Sequence, residues 1–229
     1  MTFDLHTFLF QFFPYLALTI LVLGCILRFD RDPYSWRSKS SQLLRKKQLI
    51  WGNVLFHVGV LLILVGHAVG LLTPIAVFDA LGISHGAKQM LAIVAGGGAG
   101  IIAFIGLTLL IHRRIADPRI RANTSAADML VLLMIYVQLI LGLLTIPVSM
   151  QHLDGHEMVK FMEYVQHVVT FRDGAAEYIR DVAIIFKLHI TMGMLLFVVF
   201  PFTRLVHMLS APVGYLLRKQ YQIVRRREV

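Results

Sequence analysis

The sequence predicts an all-α integral membrane protein, a bundle of five membrane-spanning helices with its N-terminus outside and its C-terminus in the cytoplasm. Three observations lead there. Hydrophobic residues make up 57% of the 229 and charged residues only 15%. The apolar residues fall into five blocks, each able to cross about 30 Å of hydrocarbon with roughly 20 helical residues. The basic residues collect in alternate connections between those blocks. The spans are placed at 3–27, 49–72, 89–112, 127–149 and 181–208, with a tail at 209–229, and residues 1–229 form one membrane-embedded domain. Helices are expected because a helix satisfies its own backbone polar groups where there is no water.

The first block starts almost at Met1, as a secretory signal would. Its start carries Asp4 and His6 but no Lys or Arg, and the basic cluster follows the apolar run. That order is the reverse of a cleaved signal and reads as a retained first helix. Cys25 is the single cysteine. It excludes an internal disulfide, a CxxCH haem attachment and a thiolate metal cluster.

A formal charge of +9 alone would suit a nucleic-acid partner, but its placement argues for topology instead. After the first span come Arg28, Arg31, Arg37, Lys39, Arg45, Lys46 and Lys47. After the third come Arg113, Arg114, Arg119 and Arg121, and the C-terminal region adds Arg204, Arg218, Lys219, Arg225, Arg226 and Arg227. The other side carries only Lys88, Lys160, Arg172, Arg180 and Lys187. This bias puts the basic connections in the cytoplasm, where they also suit anionic lipid or an acidic partner. The inner connection around 28–48, with Pro33 and Trp36, is polar enough to dock a partner. The outer one around 150–180 is expected to hold a short amphipathic helix along the membrane surface.

Four intramembrane histidines carry the chemistry: His57 and His67 in the second span, His189 and His207 in the fifth. Any one alone is as well explained by a hydrogen bond to a neighbouring helix. Taken together they are not. The two spans run antiparallel, so His67 lies opposite His189 near the exterior and His57 opposite His207 near the cytoplasm. A pair of imidazoles bridging two helices is a standard way to grip a haem iron from both sides. The expectation is therefore two non-covalent b haems held between the second and fifth spans, the inner iron by His57 and His207, the outer by His67 and His189.

One difficulty stands in the spacing. From His57 to His67 a helix rises about 15 Å, but from His189 to His207 about 27 Å. Straight, upright helices cannot level both pairs, so tilt and a kink at Pro201 are expected to absorb the difference. Gly59, Gly66, Gly70 and Gly193 near the histidines, and the run of Gly96, Gly97, Gly98 and Gly100 in the third span, suit close approach of a helix or a macrocycle.

Haem propionates need basic partners. Arg204, three residues before His207, is one candidate for the inner haem, as are Arg113 and Arg114; the plain alternative for each is an arginine reaching to the interface. Lys88 is the only basic residue between Lys47 and Arg113. It suits either a hydrogen bond to a quinone carbonyl beside the outer haem or an interfacial anchor. Asp128, at the start of the fourth span, is expected to be structural.

With these residues in view, the chain resembles the gamma, cytochrome b, subunit of membrane-bound respiratory nitrate reductase. The resemblance is carried by NVLFHVGVLLILVGHAVGLLTP at 53–74, RANTSAADMLVL at 121–132, LGLLTIPVSMQHLDG at 141–155, and FKLHITMGM at 186–194 with FPFTRLVHMLSAPVGYLLRK after it. It implies a quinol site, for menaquinol or ubiquinol, by the outer haem, with Gly66, His67 and Lys88 at matching positions. It also implies an iron–sulfur subunit and a molybdenum catalytic subunit on the cytoplasmic side of a bacterial inner membrane. Quinol would be oxidised near the outer face, its protons released outside and its electrons passed inward for nitrate reduction on another subunit.

Three rival readings are compatible with the class of protein. An ion transporter would need a polar pathway, whereas Leu, Ile, Val and Gly separate the histidines. A passive anchor for a partner would show no b-type absorption. A similar quinol-oxidising cytochrome b of another reductase, such as one of sulfur metabolism, would be told apart by its copurifying subunits.

Overall fold

The computed structural model describes residues 4–36 and 44–210. Arg37, Lys39 and the basic residues of the 209–229 tail from Arg218 onward lie outside the described residues. The described chain is all helical, and five of its helices are long and apolar enough to cross a membrane. They are α1 (Leu5–Arg31), α2 (Lys46–Leu72), α4 (His85–Ala116), α6 (Ala126–Ser149) and α8 (Ile184–Phe202). Shorter helices lie between them: α3 (Ile75–Ala80), α5 (Pro118–Ala122) and α7 (His156–Val169). Successive spans run in opposite directions, which defines an N-face, where the chain starts, and a C-face opposite.

Most of the lateral surface is apolar. Leu61 and Leu62 are each 56% exposed and Val65 60%. In water such a surface would be an aggregation liability; against lipid tails it costs nothing, and cohesion must come from close packing. α2 and α4 achieve this through small residues. A Cβ on Gly106 would lie 2.3 Å from the Phe56 backbone nitrogen, and one on Gly59 2.6 Å from that of Ala103. Neither neighbour can yield without moving a helix. Gly106→Val is therefore expected to cost about 3 kcal/mol or more, read as a lower melting temperature of the purified protein in detergent; an unchanged melt would mean the crossing is looser than described. The upper half of the same stripe differs: a Cβ on Gly66 or Gly70 meets nothing within 4 Å. The glycines of the third span divide likewise. Gly97 and Gly100 pack on Ile146 and Leu143, while Gly96 and Gly98 face open space.

At the N-face a second core joins α1, α7, α8 and the 3-10 turn Ala175–Ile179 through Phe10, Tyr164, Val168, Ile179 and Phe186. The amphipathic helix expected in the 150–180 connection is α7, whose Met162, Tyr164 and Val168 are buried. Gln166 on α7 donates to the carbonyls of Leu71 (3.2 Å) and Thr73 (3.0 Å). Pro74 ends α2 there, so Gln166 satisfies carbonyls that the helix no longer can. Arg180 grips Glu177 with two 2.8 Å bonds, which holds that carboxyl below the usual carboxylate range.

The fifth span departs from the expected 181–208. Regular helix ends at Val199, a 3-10 turn covers Phe200–Phe202, and Thr203 is extended (φ −123°, ψ −179°). A separate 3-10 turn, Arg204–Met208, carries His207. This is a break, not the kink expected at Pro201. Proline cannot donate an amide proton to the preceding turn, and its ring clashes with it. The ring is seated against α1, where a Cβ on Gly24 would lie 2.6 Å from Pro201 Cγ.

Candidate functional site

Two pairs of imidazoles face each other between α2 and the fifth span. His57 and His207 have ring centres 6.3 Å apart, with planes at 67°. His67 and His189 have centres 6.2 Å apart, with planes at 38°. The break after Val199 is what permits both contacts. Had the helix continued to His207, that residue would overshoot His57 by about 12 Å, the excess of eighteen residues of rise over ten.

Three of the four rings are oriented by a carbonyl of their own segment. His57 Nδ1 is 2.8 Å from the carbonyl of Asn53, and His67 Nδ1 2.9 Å from that of Ile63, both one turn earlier on α2. His207 Nδ1 contacts the carbonyl of Arg204. With Nδ1 engaged, the remaining ring nitrogen, Nε2, is the one free to bind a metal. His189 differs. Its Nδ1 is buried without a hydrogen-bond partner, and its Nε2 lies 3.4 Å from Gln138 Nε2 of α6.

These spacings fit haem. An imidazole nitrogen binds a metal at about 2 Å and the ring centre lies about 1 Å beyond, so two rings across one iron have centres about 6 Å apart. Both observed pairs meet that separation. Among the described residues no group of three or more His, Cys, Asp or Glu side chains is gathered for a bare metal ion. A haem iron asks the protein for axial ligands alone.

The arginines expected near propionates have protein partners. Arg204 makes a bidentate pair with Asp128, Nε to Oδ1 and Nη2 to Oδ2, both 2.7 Å. Asp128 also forms a capping box with Ser125 at the start of α6, in keeping with the structural role expected of it. Arg113, 1% exposed, donates to the Leu44 carbonyl at 2.6 Å. Arg114 donates to Thr124 Oγ1 at 3.0 Å. At the C-face, Arg28, Ser125, Asp128, Thr203 and Arg204 help to line an open cleft of about 360 Å³.

In the sequence Arg28 stands out only as one of the basic residues that set topology. It donates from Nη1 to the carbonyls of Pro201 (2.6 Å) and Thr203 (2.8 Å), and from Nε and Nη2 to Oγ and the carbonyl of Ser35. These are the carbonyls that the break strips of helical partners. Arg28 on one side and the Asp128–Arg204 pair on the other fix the turn that bears His207.

At the N-face, Lys88 is only 7% exposed. Its Nζ lies 3.5 Å from Met162 Sδ and 4.3 Å from the centre of the Phe78 ring. An interfacial anchor would reach into water; this ammonium is instead enclosed by α3 and α7. A π turn, Ala92–Gly96, follows Lys88 by one turn of α4, a local irregularity frequent near functional positions. Gly66, beside His67, borders the open upper part of the α2 stripe. Lys88 and Gly66 thus both belong to the half of the bundle that holds His67 and His189.

The chain is similar to known proteins over nearly its full length. A family model described as the nitrate reductase gamma subunit matches residues 6–227. The respiratory nitrate reductase 1 gamma chain of Escherichia coli (strain K12) is 47% identical over 97% of this chain and 98% of its own. The respiratory nitrate reductase 2 gamma chain of the same organism is 44% identical over the same shares. The nitrate reductase gamma chain of Bacillus subtilis (strain 168) is 39% identical over 93% and 95%.

Proposed function

The chain belongs to the nitrate reductase gamma subunit family, and from that premise we propose that it is the di-haem, quinol-oxidising cytochrome b subunit of a respiratory nitrate reductase. As a gamma chain it is a multi-pass membrane member of an oxidoreductase complex and associates with other nitrate reductase subunits. The observation that carries the finer reading is the pair of facing imidazole sets, 6.3 and 6.2 Å between centres, at two levels of the bundle.

In this reading the N-face is outside and the C-face cytoplasmic, as the basic connections require. His67 and His189 hold the outer haem, and His57 and His207 the inner one. Bound there, two b haems supply a one-electron path from the outer face to the inner. The residues do the rest. Carbonyls of Asn53, Ile63 and Arg204 fix three rings and keep Nε2 available. Quinol, menaquinol or ubiquinol, enters at the open stripe by Gly66. Lys88 donates a hydrogen bond to its oxygen from an enclosed position, where it is worth more than in water. The two quinol protons leave to the outer face. Arg204, Arg113 and Arg114 frame the inner site as its propionate partners, tethered by Asp128, Leu44 and Thr124 respectively. Electrons reach a cytoplasmic iron–sulfur subunit and then a molybdenum subunit, where nitrate is reduced.

Inward transfer of an electron opposes the membrane potential by about 2.3 kcal/mol per 100 mV for full crossing. The inner haem is accordingly expected to have the higher midpoint potential. An optical redox titration of the complex, with waves assigned by His57→Leu and His67→Leu variants, checks this; the reverse order would refute it.

A further inference from the structure

We propose that Phe78 is a further residue of the quinol site, a displaceable cover that α3 holds on the Lys88 ammonium and withdraws when quinol arrives. This rests on the reading of Lys88 as the donor to quinol. The ammonium is buried, with the centre of the Phe78 ring 4.3 Å away on one side and Met162 Sδ 3.5 Å away on another. A quinol oxygen accepts a hydrogen bond from Nζ only at about 2.7–3.2 Å, and the quinol ring needs room beside that oxygen. One of the two neighbours must therefore yield.

They are not equally able to. Met162 is fully buried on α7, whose Tyr164 and Val168 enter the N-face core and whose Gln166 is bonded to the end of α2. Phe78 stands on α3, a helix of six residues. Among the described residues no hydrogen bond joins Ile75–Ala80 to another helix. The Asp79 carboxylate stops 4.0 Å from His85 Nε2, too far for one. Val77 and Leu81 are exposed, so the outer side of this segment is apolar and suits the lipid from which quinol comes. One end is Pro74, with extended backbone (ψ 142°); the other is Gly82, at φ +68°, where a Cβ would meet nothing within 4 Å. A short helix tethered only at such ends swings as a unit, and Phe78 moves with it. The ring also accounts for closure: over a desolvated ammonium its π face is attractive, so it covers Lys88 whenever quinol is absent. Quinol displaces it by offering that ammonium a charge-assisted hydrogen bond.

The test is made on the purified whole complex. Acylation of Lys88 by a water-soluble N-hydroxysuccinimide ester is followed by peptide mass spectrometry, with Lys160 of the same face as the internal reference. Phe78→Ala is expected to speed acylation of Lys88 and leave that of Lys160 unchanged, with two haems per chain retained. The KM for a short-chain quinol should fall by about two- to fivefold, because binding no longer has to break the ring contact. Phe78→Leu keeps an apolar side chain on α3 without the ring; it should fall between, and it carries the same comparison if Phe78→Ala loses haem. Lys88 acylated at the wild-type rate, equal acceleration at Lys160, or a raised KM would overturn the proposal; the last would make Phe78 a fixed wall of the site. The matching quinone should slow acylation of Lys88 in Phe78→Ala. Fast acylation that the quinone does not slow would instead remove the quinol role of Lys88 on which the proposal stands.

Discussion

Replacing His67 by leucine is expected to leave the chain in the membrane with one haem instead of two, and to reduce quinol-dependent nitrate reduction to background. Leucine has about the bulk of imidazole and suits the apolar bundle, so packing should survive; what disappears is one of two axial ligands. The remaining ring, His189, lies against Gln138 and Gly142 of α6 and has no second imidazole to complete the site. Activity should fall by at least about a hundredfold, since loss of the outer haem breaks the path that begins at quinol. His57→Leu should remove the other haem while quinol still reduces the one that remains. The two variants together separate entry from exit. The checks are a haemochrome ratio for each variant and the extent of haem reduction when quinol is added without nitrate. If His67→Leu kept both haems, the assignment of His67 would fail.

The second large effect is expected at a residue that touches neither haem ligand. Arg28→Met removes four hydrogen bonds, two of them to carbonyls exposed by the break in the fifth span. A hydrogen bond from a charged group contributes about 1.5–3 kcal/mol, so releasing the Pro201 and Thr203 carbonyls should cost about 3 kcal/mol or more. The loss should appear locally, as displacement of the turn that bears His207. Inner-haem content should drop while the outer haem is kept. Arg28→Lys should fall between, because a single ammonium cannot reproduce a planar fork that spans Pro201, Thr203 and Ser35 at once. Retention of the inner haem in Arg28→Met would show that the Asp128–Arg204 pair holds the turn unaided.

Much of this architecture could be read before any coordinates. Five long apolar blocks gave five helices, and antiparallel order alone paired His67 with His189 and His57 with His207, as the ring distances bear out. The end of the fifth span was not legible. Phe200, Phe202, Leu205 and Val206 keep the sequence apolar past the last regular turn, so hydropathy runs on where hydrogen bonding stops. What makes the break tolerable is Arg28, more than 170 residues earlier in the chain. No local pattern announces such a partner. Arg204 poses the same problem. Its closeness to His207 in sequence suggested a propionate; the ion pair with Asp128, 76 residues away, was not legible there.

The glycines of α2 show a subtler limit. Gly59, Gly66 and Gly70 share a helical stripe, yet Gly59 is pressed on α4 and the other two face open space. Only what packs against each position distinguishes them, and that is a tertiary fact.

The most direct measurement is the haem content of the purified complex by the pyridine haemochrome assay, set against the amount of this chain. Two b haems per chain, falling to one when either member of a facing histidine pair is replaced, is the result this account requires. A colourless chain, or a haem content indifferent to those four histidines, would contradict it.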